Sequence, residues 1–419
     1  MQFHSDTSKW QQVRKKFFLK YFEIAFLFVI CYAILYPIIK LKKKKKPRIG
    51  RKDILIYGAY GNLSVGDDAI LLSIKNFFNK ELPHLNFIVS SYNPEKTEKQ
   101  FGVPCILQGR TLEGLVILIK NRKKFDTIIF GGGGILETHN YKIKSLLGTL
   151  QKTSKFALGI LLNKDIVFLG IGTNITEYPA GIRLLLKEIF RHAQSISTRD
   201  AGSYNAIKRI NPNVEVKDCT DPALMLGEDF KRANNTVVDA IAINVMAYYR
   251  LVNDKKVMIE QRRKLSNVLD QMIEKFNKEI HFFPMVFGED TNEQTELIAL
   301  MKNKDRVKEF APSPSPLDFM EKISAYPIFI ATRLHANILA FNANVPILGL
   351  AYHTKIDNLF SALNDKDFIC FPLLTFDTDE VIKAVRRILD SNDEIKLKIS
   401  EIKGRVIPLA KENFVFFKN

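Results

Sequence analysis

Arg333 and His335, two residues apart in Thr332-Arg333-Leu334-His335, are the strongest chemical signal in this 419-residue chain. An arginine fork grips a carboxylate or phosphate with two parallel hydrogen bonds, and a histidine gives or takes a proton near neutral pH. The pair follows the apolar run Ile328-Phe329-Ile330-Ala331 and opens a segment with Leu334, Ile338 and Phe341 at helical spacing. That pattern puts both residues at the start of a helix, on the C-terminal edge of a parallel sheet. Free N–H groups and the helix dipole already favour an anion there. A purely structural Arg–His pair is the competing reading. Arg199 repeats the logic at the exit of the short strand Ser195-Ile196-Ser197-Thr198; an ion pair with Asp200 holding the turn is its alternative. Lys355 follows the next strand, Val345 to Leu350, with Tyr352 and His353, and would give the same rim a second phosphate contact. His139, in Glu137-Thr138-His139-Asn140, is a further candidate, set against the ordinary solvated histidine of a loop.

The elements that must position these side chains are short apolar runs alternating with longer amphipathic ones. Asp53 to Tyr57 reads as a buried strand leading into Gly58-Ala59-Tyr60-Gly61 and then Gly66-Asp67-Asp68. A helix follows, with Ile70, Leu71, Ile74 and Phe77 on one face. Strand, glycine-rich turn and helix form the opening of a phosphate- or nucleotide-binding βα unit. Gly66 and Asp67 are therefore candidate substrate contacts, although Asp67 could equally cap the helix. Further strands are expected at Asn86 to Ser90, Thr127 to Phe130 and Ile166 to Leu169. Gly131 to Gly134 after the second of these calls for close backbone approach to a ligand or to a neighbouring helix. Gly132 and Gly133 are taken as substrate-binding on that ground. Strand patterns resume at Val238 to Val245 and Ile280 to Phe287, and Ser313-Pro314-Ser315-Pro316 is a rigid turn.

The whole is an α/β chain of two Rossmann-like domains facing across a cleft. Residues 53–226 form the N-terminal domain, 236–376 the C-terminal one and 377–419 a pair of C-terminal helices; the last are expected to cross back to the first domain. Residues 1–52 are an arm. Within it Phe22 to Ile39 carries only Glu23 as a charge, a run near the short end of what spans a bilayer. Tyr32, Tyr36 and Pro37 lie toward its far end, and Lys40, Lys42 to Lys46 and Arg48 follow. The expectation is a single-pass membrane helix with anionic-lipid contacts and cytoplasmic catalytic domains; a helix lying in the interface is the alternative. The formal charge of +17 is concentrated here, where residues 1–52 hold 14 Lys and Arg against Asp6 and Glu23. A basic arm beside a nearly balanced fold argues against nucleic acid as a partner. Cys31, Cys105, Cys219 and Cys370 form no CxxC pair and no metal-ligand spacing, so no metal is expected.

Taken in order, Gly66-Asp67-Asp68-Ala69-Ile70-Leu71, Gly131 to Gly134, Ser197-Thr198-Arg199-Asp200, Asp221-Pro222-Ala223, Arg333-Leu334-His335-Ala336 and Val345-Pro346 through Tyr352 to Lys355 resemble the polysaccharide pyruvyl transferase family. The resemblance spans roughly Ile54 to Leu363. Ser64-Val65 stands where the family often has asparagine and a small residue, and Gly170-Ile171-Gly172-Thr173-Asn174 where glycine–proline is common. The resemblance implies a glycosyltransferase-B-like architecture. It also implies transfer of a pyruvyl group from phosphoenolpyruvate, a donor substrate with no separate cofactor, to two hydroxyls of a sugar. His335 would then handle protons, Arg333 and Arg199 would hold phosphate and carboxylate, and His139 would serve the sugar hydroxyl or a proton relay. The acceptor would be a cell-surface polysaccharide or its lipid-linked precursor. Two other readings compete: a nucleotide-sugar glycosyltransferase on the same fold, and a non-catalytic membrane scaffold.

Overall fold

The computed structural model describes residues 30–46, 53–137, 143–174, 178–233, 236–248, 251–252 and 254–418. The first sheet contains β1 (Asp53–Tyr57), β2 (Asn86–Ser91), β3 (Cys105–Leu107), β4 (Thr127–Leu136), β5 (Asp165–Thr173), β6 (Ser195–Thr198) and β7 (Lys217–Asp218). All pair in parallel, in the order β3-β2-β1-β4-β5-β6-β7. The second contains β8 (Ala240–Asn244), β9 (Glu279–Phe282), β10 (Val307–Glu309), β11 (Phe329–Ala331), β12 (Ile347–Ala351) and β13 (Ile369–Pro372), also all parallel, in the order β10-β9-β8-β11-β12-β13. Both sheets thus wind outward from their first strand and reverse at one point, β1/β4 and β8/β11. Ligands of doubly wound sheets collect at that reversal, beyond the C-terminal strand ends. Strands covered on both faces read as continuous apolar runs, and Ile54, Leu55 and Ile56 of β1 are all buried.

The helices that matter for the cleft are α1 (Tyr36–Leu41), α2 (Val65–Glu81), α3 (Ile143–Leu161), α4 (Ala180–His192), α5 (Leu334–Asn342), α6 (Thr354–Leu363) and α7 (Asn392–Lys411). Helix α2 buries Ile70, Leu71, Ile74 and Phe77, the stripe its spacing requires. The two sheets share one hydrophobic core. It joins Ile54 and Ile56 to Ile241 and Ile243 through α2, α5 and the 3₁₀ turn Pro222–Gly227. Polar bonds cross as well: Val65 N donates to Met285 O at 3.2 Å and Asn342 Nδ2 to Ala223 O at 2.8 Å. The C-terminal helices do cross back. Thr220 Oγ1 donates to Val406 O at 2.8 Å, and Phe414 stacks on Phe77 with ring centres 4.0 Å apart.

Two expectations need revising. The glycine run does not follow β4 but lies inside it, and the strand continues to Leu136. A Cβ on Gly131 would overlap Leu169 O of β5, and one on Gly132 would overlap the side chain of Ile70. Gly132 and Gly133 also sit at φ 72° and 82°, where a side chain is strained. Close packing against β5 and α2 thus accounts for much of the run.

The arm is the second revision. Among the described residues no helix is long and apolar enough to cross a membrane. Phe22 to Val29, the first part of the expected span, lies outside the described residues. The rest is a π-helical turn, Ile30–Leu35, running into the six-residue α1. At 1.5 Å per residue so short a helix reaches only about a third of a bilayer core. Its Leu35 and Ile39 are buried against the first domain. Arg191 Nη2, at the end of α4, donates to the carbonyls of Ile39, Lys40 and Lys42 around the C-terminus of α1. Lys42 Nζ bonds Asn163 Oδ1 at 2.6 Å, and Lys45 Nζ bonds Asn163 O at 3.0 Å. Part of the lysine block therefore grips the protein itself.

Candidate active site

A cavity of about 420 Å³ opens at the C-terminal ends of both sheets. Glu137 is its hub. It follows β4 and places Oε1 2.5 Å from Arg199 Nη2 and Oε2 3.2 Å from Lys355 Nζ. A first-domain carboxylate thus joins a first-domain arginine to a second-domain lysine. Burial pushes the Glu137 carboxyl up, but Arg199, Lys355 and His353 outweigh it and hold it well below the usual carboxylate range.

Arg199 leaves β6 and is buried. Besides Glu137 it faces Asp200 and Asp221, each at 3.6 Å, and among the described residues its Nε has no hydrogen-bond partner. Gly172 makes the room, since a Cβ there would press on the guanidinium. The expected Arg199–Asp200 pair exists, but it is the longer arm of a larger network.

His335 is the second residue of α5, as its spacing implied. Its Nε2 lies 3.5 Å from Asp221 Oδ2, an ion-pair distance rather than a tight hydrogen bond. Asp221 Oδ1 meanwhile accepts from Ala223 N at 3.0 Å, which fixes the carboxylate. Burial raises the Asp221 carboxyl, but His335, with Arg199 and the Ala223 amide, brings it below its ordinary value. The imidazole packs on Gly66 of α2, where a Cβ would come within 2.5 Å of Nδ1. Gly66 lines the cavity and also seats the histidine.

Asp67 does not cap α2. Ser64 Oγ accepts from Asp67 N at 3.4 Å and takes that role, which leaves the Asp67 carboxyl on the cavity wall. Burial raises its pKa, against the pull of His335, Ser64, Arg199 and Lys355. Arg333 is the N-cap residue of α5. Its Nε meets both oxygens of Asp290 at 3.0 and 2.9 Å, its Nη2 meets Oδ1 at 2.5 Å, and Glu289 is 3.4 Å away. Lys355 lies in the first turn of α6 with Nζ over the Tyr352 ring at 5.4 Å.

Arg199, Arg333, His335, Lys355, Gly66, Asp67 and Gly132 all line the cavity. Gly133 is set back from it, between Ile70 and Arg199. His139 lies outside the described residues. Three groups escaped the sequence reading: Glu137, Lys152 and Lys155. Glu137 had a signal, being the first charge after a long apolar and glycine strand. The α3 lysines had none. Lys155 Nζ donates to Tyr57 Oη at 2.6 Å and to Gly109 O at 3.2 Å, and burial pulls its pKa down to about 8. Among the described residues no three His, Cys, Asp or Glu side chains are placed to share a metal ion.

Twin parallel sheets with a cation-rich cleft between them define a two-domain enzyme of the glycosyltransferase-B-like fold. Solved structures bear out that class: a UDP-GlcNAc 2-epimerase from Neisseria meningitidis bound to UDP-GlcNAc aligns with TM-score 0.55 at 13% identity, over 88% of this chain and 100% of that one. The corresponding epimerase from Methanocaldococcus jannaschii, in complex with UDP-GlcNAc and UDP, gives 0.52 at 15% identity, over 81% and 93%. Anabaena HepE in complex with UDP-glucose gives 0.52 at 13%, over 87% and 96%. At such identities the likeness is one of fold. A search of curated proteins found no match. The sequence profile of the polysaccharide pyruvyl transferases matches residues 65–354, most of the chain, and the chain belongs to that family. It is a transferase.

Proposed function

We propose that this enzyme transfers the pyruvyl group of phosphoenolpyruvate to two hydroxyls of one sugar, forming a cyclic ketal and releasing phosphate. The carrying observation is the convergence of His335 with Asp221, Arg199, Arg333 and Lys355 on one cavity, within a chain of this family. A proton adds to the methylene carbon, which makes the adjacent enol carbon electrophilic. A sugar hydroxyl bonds to that carbon and loses its proton, the C–O bond to phosphate breaks, and a second hydroxyl closes the ring with loss of its own proton. His335, oriented by Asp221, handles these protons beside Asp67, whose raised pKa suits a donor. Arg199, Arg333 and Lys355 receive the anionic donor, as preorganised cations stabilise charge without reorganising during reaction.

The acceptor in this reading is a cell-surface polysaccharide or its lipid-linked precursor, met at the cytoplasmic face of the membrane. The arm supports that placement. Its docked end leaves Ile34, Ile38 and Leu41 exposed at 50%, 46% and 84%, beside the outward-facing Lys43, Lys44 and Lys46. The structural neighbours that carry UDP-sugars favour a nucleotide-sugar donor as the second reading. It needs an acidic ribose ligand in the second domain, and the available one, Asp357, sits past the strand tail in the first turn of α6.

The test is phosphate release from phosphoenolpyruvate by the full chain, with soluble and lipid-linked glycans supplied in turn. Glycan-dependent release is the expected result. Failure to bind phosphoenolpyruvate, together with hydrolysis or transfer of a nucleotide-sugar, would replace this reading with the second.

A further inference from the structure

The cations around the cavity are not equally neutralised. Arg199 faces Glu137, Asp200 and Asp221; Arg333 is chelated by Asp290; Lys355 shares Glu137. Lys152, on α3, lines the same cavity, and among the described residues it makes no hydrogen bond and no ion pair. Its neighbour Lys155 adds a second positive charge there, paired only with neutral oxygens. Tyr57 accepts from Lys155, which leaves the phenolic proton free to donate. Glu137 and Asp67 act on Lys152 only at a distance, and desolvation dominates them, so its pKa is lowered. An ammonium held partly out of water without a counter-ion is a costly arrangement that an incoming anion relieves.

Resting on the pyruvyl transfer reading, we propose that Lys152 is the residue that binds the donor's phosphate. The phosphate dianion sits at the α3 end of the cavity, on Lys152 and beside the Tyr57 hydroxyl. The carboxylate and the reacting carbons point back toward Arg199 and His335. Specificity for a phosphorylated donor then resides in the first domain, on a helix the family's arginines do not touch. The same lysine end would serve a phosphate carried by the acceptor, and the test separates the two sources.

The measurement is titration calorimetry of the full chain with phosphoenolpyruvate, inorganic phosphate and pyruvate, for wild type, Lys152→Met and Lys152→Arg. A charge-assisted hydrogen bond of about 1.5–3 kcal/mol corresponds to about a 10- to 100-fold change in affinity. Lys152→Met is expected to weaken phosphoenolpyruvate and inorganic phosphate by that factor, and to leave pyruvate within about twofold. Lys152→Arg is expected to keep most of the affinity. Should Lys152→Met not fold, Lys152→Gln carries the same comparison. Unchanged phosphoenolpyruvate binding in either neutral variant, or an equal loss for pyruvate, overturns the inference while wild-type binding keeps the donor reading. A wild type that binds inorganic phosphate but not phosphoenolpyruvate, and loses phosphate in Lys152→Met, keeps Lys152 as a phosphate site, moves it to the acceptor and removes the donor reading.

Discussion

Arg199 and Arg333 both stand just past a strand at the mouth of one cleft, yet they are held in different ways. Arg199 is buried among Glu137, Asp200 and Asp221, only the first at hydrogen-bond distance, and among the described residues its Nε makes no hydrogen bond. Arg333 has its Nε edge filled by both oxygens of Asp290. That aspartate would not be orphaned without it, because Met285 N, Val286 N and Asn244 Nδ2 also donate to it, at 2.9, 3.2 and 3.3 Å. Among the described residues Glu137 has no such reserve and Asp221 has only the Ala223 amide, so their ionised forms rest on Arg199, Lys355 and His335. The difference separates a guanidinium that holds a buried charge network together from one that is itself held in place by an anchored carboxylate. Asp221 ties the first network to His335, since Arg199 and His335 approach the same oxygen, Oδ2.

The strongest test of that coupling is His335→Ala. Turnover is expected to fall about 10²- to 10⁴-fold, the usual worth of a positioned acid or base. Melting temperature should barely move, because the imidazole packs on Gly66 at the cavity wall and Asp221 keeps Arg199 and the Ala223 amide. Retained turnover would separate the network from the chemistry. The arginines come next. Arg199→Ala leaves Glu137 with Lys355 and Asp221 with His335 and the Ala223 amide, and should cost about 3–5 kcal/mol in chemical denaturation. Arg333→Ala leaves Asp290 with three donors and should cost about 1–3 kcal/mol. Equal losses would erase the distinction between the two sites.

Much of this arrangement was legible in the chain because it depends on local rules. A buried strand, a turn and a helix start are encoded within a dozen residues, so Arg333, His335 and Arg199 could be placed at strand exits before their partners were known. The partners come from elsewhere in the sequence. Glu137 and Lys355 are separated by a whole domain, and nothing near either residue reports the other. Lys152 looks like any lysine of an amphipathic helix, and only the packing of α3 against β4 and β5 beside the cleft gives it a role. The short edge strands β3, β7, β10 and β13 carry no strong alternation and are fixed by pairing with their neighbours. The apolar run at the arm was read correctly for composition, but its fate turns on Leu35 and Ile39 finding a groove in the first domain. Hydropathy cannot distinguish such a groove from lipid.

The smallest expected effect concerns Asp68, next to Asp67 but outside the network. Its carboxyl is buried and accepts from Gln100 Nε2 at 3.1 Å, while the same amide reaches Pro314 O of the second domain at 3.0 Å. Burial pushes its pKa from 3.8 up to about 6, against the Gln100 hydrogen bond. A carboxyl raised on folding costs stability wherever it is ionised in the folded state, and that cost is relieved as pH falls through the folded value toward the unfolded one. Asp68→Asn keeps an oxygen for Gln100 and removes the titration. The stability difference should therefore move in favour of the wild type by on the order of 2 kcal/mol between pH 7 and pH 4. Glu137 and Asp221 work in the opposite sense, since their contribution is present above the ordinary carboxylate range and lost in acid. That loss is common to both proteins and cancels in the difference. Denaturation curves at the two pH values measure it, and a difference that does not change with pH would mean that the Gln100 bridge, not burial, governs Asp68.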